Sequence, residues 1–338
     1  MDHAESVTFG SSALNRASEL RNAESQVVLR AQNNVRVTLF WRGKPLLREK
    51  DDQSLGLAWI DLDHSILEHQ SSPLIFLGLS EKNKPLFLVD VSTWIPEELP
   101  DTLNEFLDPS IQTHPTLVND EYFGELRSIM TQLSTRDAEL AVIGRGILEW
   151  HRGHSFCAAC GHPSTIEMAG WQRTCTECKK THFPRTDPVV IMLITHGNSL
   201  LMGRSHAWPD GMYSLLAGFV EPGETLEAAV RREVFEESGI RVGSVGYLTS
   251  QPWPFPASLM FGCEGQALNM DINIDSNEIE DALWVSREEM LDVFEGIHPK
   301  IKPARSGAIA HFLIENWLAD TLKSVSYTHL TLQTSDLV

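Results

Sequence analysis

Hydrophobic residues recur with two different periods along this chain of 338 residues. Val35-Arg36-Val37-Thr38-Leu39 alternates in the manner of a half-buried strand, and Trp41-Arg42-Gly43-Lys44-Pro45-Leu46 reads as a turn into a second. Residues 55–62 and 74–79 are further strand candidates, and Glu81-Lys82-Asn83-Lys84-Pro85 turns a hairpin into 86–91. Ahead of them the first 25 or so residues are polar and mixed, with a short helix expected at 12–23. Residues 26–95 therefore read as a β-rich domain without a catalytic constellation. Its His64 and His69 lack metal-ligand spacing and are read as surface residues. Proline-bearing loops follow, and then Leu126, Ile129, Met130, Leu133, Leu140, Ile143 and Ile147 switch to helical spacing across 122–150.

The second half alternates strands and helices. Residues 189–194 form an apolar run expected to be a buried strand, His196-Gly197-Asn198-Ser199 a turn, and 200–202 its return. Strands are expected at 213–220, 245–249, 258–267 and 283–285, with helices from near Thr225, at 286–294 and at 306–322. Cys263, in an apolar strand, is read as a small core residue. The last residues, 324–338, show no period and are expected to be disordered or outside the native fold.

The helix beginning near Thr225 changes the picture from fold to chemistry. At ~100° per residue, Glu233, Glu236 and Glu237 share a face with Leu226, Ala229 and Val230. Burying such charges unpaired would cost on the order of several kcal/mol each. Arg232 can pair with only part of them, so a hard divalent cation such as Mg2+ or Mn2+ is the natural partner. An acidic helix facing solvent is the other reading. Gly218 and Gly223 before the helix, Gly239 after it and Glu224 at its mouth favour the first, since they suggest a shaped loop and a helix stop.

A second constellation is made of sulfur. Cys157-Ala158-Ala159-Cys160 and Cys175-Thr176-Glu177-Cys178 are separated by 14 residues, close to the spacing of a four-cysteine zinc ribbon. Four thiolates leave no open coordination position, so Zn2+ there would be structural; two disulfides or chance pairs are the alternative. His154, His162 and His182 lie nearby and are read as surface or packing residues. Further on, Gln251-Pro252-Trp253-Pro254-Phe255-Pro256-Ala257-Ser258 alternates prolines with aromatics, which suits either stacking on a base or a rigid loop plugging a domain edge.

Charge and composition then narrow the partners. A net charge of -19 disfavours a general binder of nucleic acid or anionic membrane, leaving only a local basic patch for such contacts. The first residues lack the basic start and apolar run of a signal peptide, and no stretch reaches the ~20 apolar residues of a membrane span. A cytoplasmic protein with reduced cysteines is expected, with no membrane partner.

Gly218, five residues, Glu224, seven residues, and Arg232-Glu233-Val234-Phe235-Glu236-Glu237-Ser238-Gly239-Ile240 fill every fixed position of the 23-residue Nudix box. With the proline-aromatic segment, the four-cysteine ribbon and Phe183-Pro184-Arg185-Thr186-Asp187-Pro188, the chain resembles the NADH pyrophosphatase family of Nudix hydrolases, most strongly from about Trp150 to Trp317. The resemblance implies an α/β fold, a Nudix α/β/α sandwich on a mixed sheet at 186–323, preceded by the ribbon at 151–185 and the β-rich domain at 1–150, with 324–338 as a tail. It implies hydrolysis of NADH or NAD+ to nicotinamide mononucleotide and AMP, with Glu233, Glu236, Glu237 and the downstream Glu278 as Mg2+ or Mn2+ ligands. Arg232 would orient a box glutamate, Glu224 would support the loop, and one of Glu236, Glu237 or Glu278 would take the proton of the attacking water. Phe183 and Phe219 are similar in placement to aromatics that hold a ring of the dinucleotide in family members. Gln251, Trp253, Phe255, Ser258 and, by its place before the last helix, Ala308 are further substrate-binding candidates. Family members commonly form homodimers. Two other readings remain: the same site acting on NAD-capped RNA 5′ ends, and a zinc-ribbon nucleotide-binding regulator without catalysis, against which the complete set of glutamates argues.

Overall fold

The computed structural model describes residues 5–10, 12–33, 35–50, 54–103 and 108–322. The expected tail at 324–338 lies outside the described residues. Two compact units divide after Asp187, and a segment from the second half, Gln251–Leu259, belongs to the first of them.

The first unit is built on a mixed sheet. Strands β1 (Arg36–Trp41), β2 (Lys44–Glu49), β3 (Leu55–Leu57), β4 (Ile60–Asp61), β5 (Ile75–Leu79), β6 (Pro85–Asp90) and β7 (Glu121–Phe123) join in the order β3-β2-β1-β6-β5, with β4 on β1 and β7 on β2. β1 runs parallel to β6 and antiparallel to β2 and β4. Alternation along β1 divides its side chains between two cores: Val37, Leu39 and Trp41 enter one, Phe40 the other. Helix α1 (Ala23–Arg30) gives Leu29 to the first core, and α2 (Leu126–Ile129) and the long α3 (Thr135–Gly153) cover the second. Gly144 lets α3 lie on the sheet, since a Cβ there would stand 2.7 Å from the Phe40 ring.

Two local expectations are corrected. The helix expected at 12–23 is a short 3-10 turn, Ser18–Leu20, followed by α1; Ala17 is left-handed at φ 40°, and the Asn22 side chain caps α1 on the Ser25 N–H. Tyr122 and Phe123, expected to open the helical stretch, pair with β2 instead, and helix starts only at Leu126. After α3 comes the ribbon, a three-stranded antiparallel sheet of β8 (Ser164–Glu167), β9 (Gln172–Cys175) and β10 (Thr181–His182). Buried His151 of α3 locks onto it, with Nε2 2.9 Å from the Gly170 carbonyl and Nδ1 3.1 Å from Arg173 Nη1.

The second unit is a six-stranded sheet between helices. Its strands are β11 (Asp187–His196), β12 (Ser199–Arg204), β13 (Leu216–Phe219), β14 (Val242–Trp253), β15 (Ser258–Ala267) and β16 (Asp281–Ser286), in the order β14-β15-β11-β12-β16 with β13 on β11. Val190, Met192 and Ile194 of β11, and Cys263 and Ala267 of β15, meet Ala229, Val230 and Val234 of α4 (Leu226–Ser238) on one face. On the other face a Cβ at Gly262 would touch Ile309 and Leu313 of α6 (Ile309–Leu318), while α5 (Arg287–Phe294) follows β16 behind a capping box at Ser286. This is the expected α/β/α layering. The last helix is shorter than the expected 306–322, because Ala308 is its N-cap and Asp320 turns left-handed at φ 53°. Among the described residues, no helix is long and apolar enough to cross a membrane.

Candidate active site

Helix α4 starts where Thr225 caps the Ala228 N–H and stops at left-handed Gly239, φ 69°. Between these ends it presents its acids toward β13. Gly218 on that strand makes the approach feasible, since a Cβ there would stand 1.9 Å from the Glu233 carboxyl carbon. Only a residue without a side chain admits Glu233 at this place.

Arg232 organises the mouth of the helix. Its Nε and Nη2 donate to the two Glu224 oxygens at 2.7 Å each, and Nη2 also donates to the Phe219 carbonyl at 2.9 Å. Nη1 lies 2.9 Å from Glu233 Oε1 and 3.0 Å from Glu236 Oε2. The Glu224 carboxylate also accepts from the Glu221 N–H at 3.0 Å, closing the loop. The Arg232 guanidinium, aided by that N–H, holds Glu224 down at about 2, and the surrounding carboxylates raise Arg232 in turn.

Glu233, held on one side by Arg232, converges with Glu237 and Glu278, each of the three offering an oxygen within 4.8 Å of the others. Glu233 and Glu237 are buried, whereas Glu278 is exposed on the turn before β16. Burial, followed by the charges of Glu233, Glu278 and Glu236, pushes Glu237 up to about 8. Burial likewise raises Glu233, against the pull of Arg232. Oε2 of Glu237 is buried and has no hydrogen-bond partner among the described residues. An all-oxygen donor set with an orphaned buried carboxylate oxygen is what a hard divalent cation satisfies, so the residues present fit one. Glu236 stands outside these three, half-exposed on Arg232.

The ribbon cysteines also fit a metal. Sγ of Cys160 lies 3.4 Å from those of Cys175 and Cys178, and Cys157 Sγ lies 3.7 Å from Cys178 Sγ. A disulfide needs ~2.05 Å, whereas ligands on one tetrahedral zinc at ~2.3 Å stand ~3.8 Å apart. Backbone N–H groups of Ala159, Glu177 and Cys178 point at Sγ atoms at 3.4 Å, as donors to thiolates do. His182 Nε2 lies 3.3 Å from Cys157 Sγ, a packing contact beside the four thiols.

Comparison with known proteins agrees with both halves of the chain. The NUDIX domain model matches residues 184–305, and that of the NADH pyrophosphatase-like rudimentary NUDIX domain matches residues 35–150. The chain is 35% identical over 340 residues to the NAD-capped RNA hydrolase NUDT12 of Homo sapiens, across 92% of this chain and 73% of that one. It is a Nudix hydrolase of the NADH pyrophosphatase family. It is also 34% identical over 377 residues to the NAD-capped RNA hydrolase of Schizosaccharomyces pombe, covering 95% of this chain and 96% of that protein. A third relative, the mitochondrial NAD(P)H pyrophosphatase NUDT13 of Homo sapiens, is 34% identical over 260 residues, 72% of this chain and 71% of that protein.

The substrate-binding candidates of this Nudix hydrolase are divided between its units. Phe219 and Ala308 lie in the second, which carries the acids; Phe219 is 59% exposed beside Arg232, and Ala308 is the half-buried N-cap of α6. Phe183, 64% exposed, Gln251, Trp253, Phe255 and Ser258 belong to the first. There Gln251 is buried, with Nε2 donating to the Thr8 carbonyl at 2.7 Å. Trp253 packs edge-on to Phe255 at 5.0 Å, and Arg127 and Arg145 lie over the Phe255 ring at 4.0 and 4.6 Å. Arg145 also donates to the carbonyls of Pro254 at 3.0 Å and Gly43 at 2.6 Å. Half-buried Ser258 opens β15. Neither arginine was singled out in the sequence, where helix periodicity marks only the apolar positions around them.

Proposed function

We propose that this enzyme hydrolyses the pyrophosphate bond of NADH or NAD+, releasing nicotinamide mononucleotide and AMP. The observation that carries the reading is the orphaned buried oxygen of Glu237 among the converging carboxylates of a complete Nudix box. Glu233, Glu237 and Glu278 would hold Mg2+ or Mn2+, with Glu236 adjacent on Arg232. Bound there, such ions neutralise the pyrophosphate oxygens and make the attacking water more acidic. Water oxygen bonds to one phosphorus as the bridging P–O bond breaks, and a carboxylate of this cluster takes the proton. Arg232 holds Glu224 and Glu233 in place, and Glu224 keeps the loop from Glu221 closed. Phe183, Phe219, Gln251, Trp253, Phe255, Ser258 and Ala308 are assigned to recognition of the dinucleotide.

The names of the relatives support a nicotinamide dinucleotide as the substrate. Two of the three named above are NAD-capped RNA hydrolases, which favours a second reading in which the same site removes NAD caps from RNA. Cys157, Cys160, Cys175 and Cys178 would hold a structural Zn2+. The reading also includes the cytoplasm, supported by five unpaired cysteines, and a homodimer, which rests on the family resemblance.

The experiment is direct. The protein is incubated with NADH, NAD+, ADP-ribose and NAD-capped RNA in Mg2+ or Mn2+, beside Glu237→Gln. Hydrolysis of NADH or NAD+ by the parent and its loss in the variant are expected; untouched dinucleotide, or a fully active variant, refutes the reading. Faster release from capped RNA than from free NAD+ selects the second reading.

A further inference from the structure

Glu278 is the acid of the cluster that no helix holds. Its carboxylate is exposed, so its place is set by the turn of residues 275–278 and not by packing of its own side chain. That turn is fixed at both ends. At the front, the N–H of Asp275 donates to the Glu237 carbonyl at 3.2 Å, and Asp275 Oδ1 accepts from the N–H and Nδ2 of Asn277 at 2.9 Å each. At the back, buried Ile279 enters the core under α4, and the Glu280 N–H donates to the Arg204 carbonyl at 2.8 Å.

Arg204 closes the arrangement with its side chain. It is the last residue of β12, and its guanidinium is almost fully buried. Nε donates to Glu280 Oε2 at 2.6 Å, Nη1 to the Pro209 carbonyl at 2.5 Å and Nη2 to the Trp208 carbonyl at 2.9 Å. One cation thereby ties loop 205–212 to the residue two places beyond Glu278. From the same loop His206 Nε2 lies 2.9 Å from the Ser276 carbonyl, inside the turn itself. A buried guanidinium spread over several acceptors is geometrically demanding, and lysine cannot reproduce the fork. Nothing in the reaction described above uses Arg204, His206 or Glu280.

We propose that Arg204, through Glu280 and the loop it closes, is a positioning residue for Glu278, setting the turn that brings this carboxylate to Glu233 and Glu237. The proposal rests on the reading of these three acids as a divalent-cation site. The ligands of such a site need placing to about 0.5 Å, which an unsupported surface turn does not supply.

The test uses the full chain with its ribbon zinc. Glu280→Ala is the first variant, because Glu280 is itself half-exposed and Arg204 keeps its carbonyl acceptors at Trp208 and Pro209; Arg204→Lys, which keeps the charge and loses the fork, is the second. Mn2+ binding is measured by calorimetry without substrate, and kcat and KM for NADH at saturating Mg2+. Both variants are expected to lower Mn2+ affinity and kcat by ~10-fold, as loss of a ligand's supporting contacts does, with KM changed less than about twofold. In a Glu278→Gln background Glu280→Ala should add no further loss. Unchanged Mn2+ affinity and kcat, or losses that multiply fully with Glu278→Gln, overturn the proposal. A parent that binds Mn2+ but leaves NADH intact overturns the substrate reading alone, since the titrations still score the brace; a parent that binds no Mn2+ overturns both.

Discussion

Glu237→Gln should stabilise the ion-free protein while abolishing its activity, and the gain should depend on pH. In the fold Glu237 is raised from its ordinary 4.5 to about 8, so the folded chain keeps a proton that the unfolded chain releases. A raised carboxyl contributes stability that is complete below the unfolded pKa of 4.5 and is lost as pH rises through 8. At ~1.4 kcal/mol per pH unit between those values, the parent loses on the order of 5 kcal/mol by pH 9, shared with Glu233, whose titration is coupled to it. Glutamine has no proton to lose. In chelator, the two proteins should therefore match within about 1 kcal/mol at pH 5 and diverge by several kcal/mol at pH 9. Hydrogen exchange of the α4 amides reads the difference locally, avoiding the assumption that a protein of two units unfolds in one step. Saturating Mg2+ should then stabilise the parent selectively, by ~2.7 kcal/mol at a hundred times its Kd. A variant whose advantage is the same at pH 5 and pH 9, or absent at pH 9, would refute the claim that buried like charge dominates this site.

Three further outcomes follow from other contacts. Gly218→Ala would drive a methyl group into the Glu233 carboxyl and should lower kcat for NADH by ~100-fold, the scale of a 1 Å misplacement, with a matching fall in Mn2+ affinity measured by calorimetry. Arg232→Ala frees Glu224, whose depressed pKa contributes stability present above 4.5 and lost as pH falls through about 2; the melting temperature of the parent should exceed that of the variant at pH 6 and lose most of that margin by pH 2. Cys175→Ser should abolish zinc binding, measured by metal analysis, and weaken exchange protection at the cysteine end of β9, while the Arg173 end, tied to His151 and Ser164, keeps more of it.

What could be read in the sequence was whatever has a short period or a short spacing. Helix α4, its caps at Thr225 and Gly239 and the two cysteine pairs lie within a few turns of chain, and each appears where the residues place it. Long-range pairing is another matter. β7 looked like the start of a helix because Tyr122 and Phe123 fit either period, and only partnership with β2, more than seventy residues earlier, makes it a strand. The stiff segment at Gln251 lies within the residues that the NUDIX model matches, and its rings pack into the core of the first unit under Arg127 and Arg145, residues that no local pattern distinguishes. Glu278 stood out only through family resemblance. Its turn is seated by the hydrogen bond from the Asp275 N–H to α4, a contact that no local pattern marks.

The division of charge around α4 explains why the fold tolerates this site. Four box carboxylates share one arginine, and that arginine is aimed at three of them: Glu224, Glu233 and Glu236. A guanidinium has only five donors, and with the Phe219 carbonyl also bound, none reaches Glu237. The uncompensated charge is thus concentrated on the one acid that is both buried and orphaned, and its relief in the ion-free state is a proton. If Arg232 covered all four, the helix would be more stable and would have little reason to take up a cation. The burial and like charge that destabilise the Glu237 carboxylate without the ion are thus a cost that a bound cation would relieve once it displaced the proton.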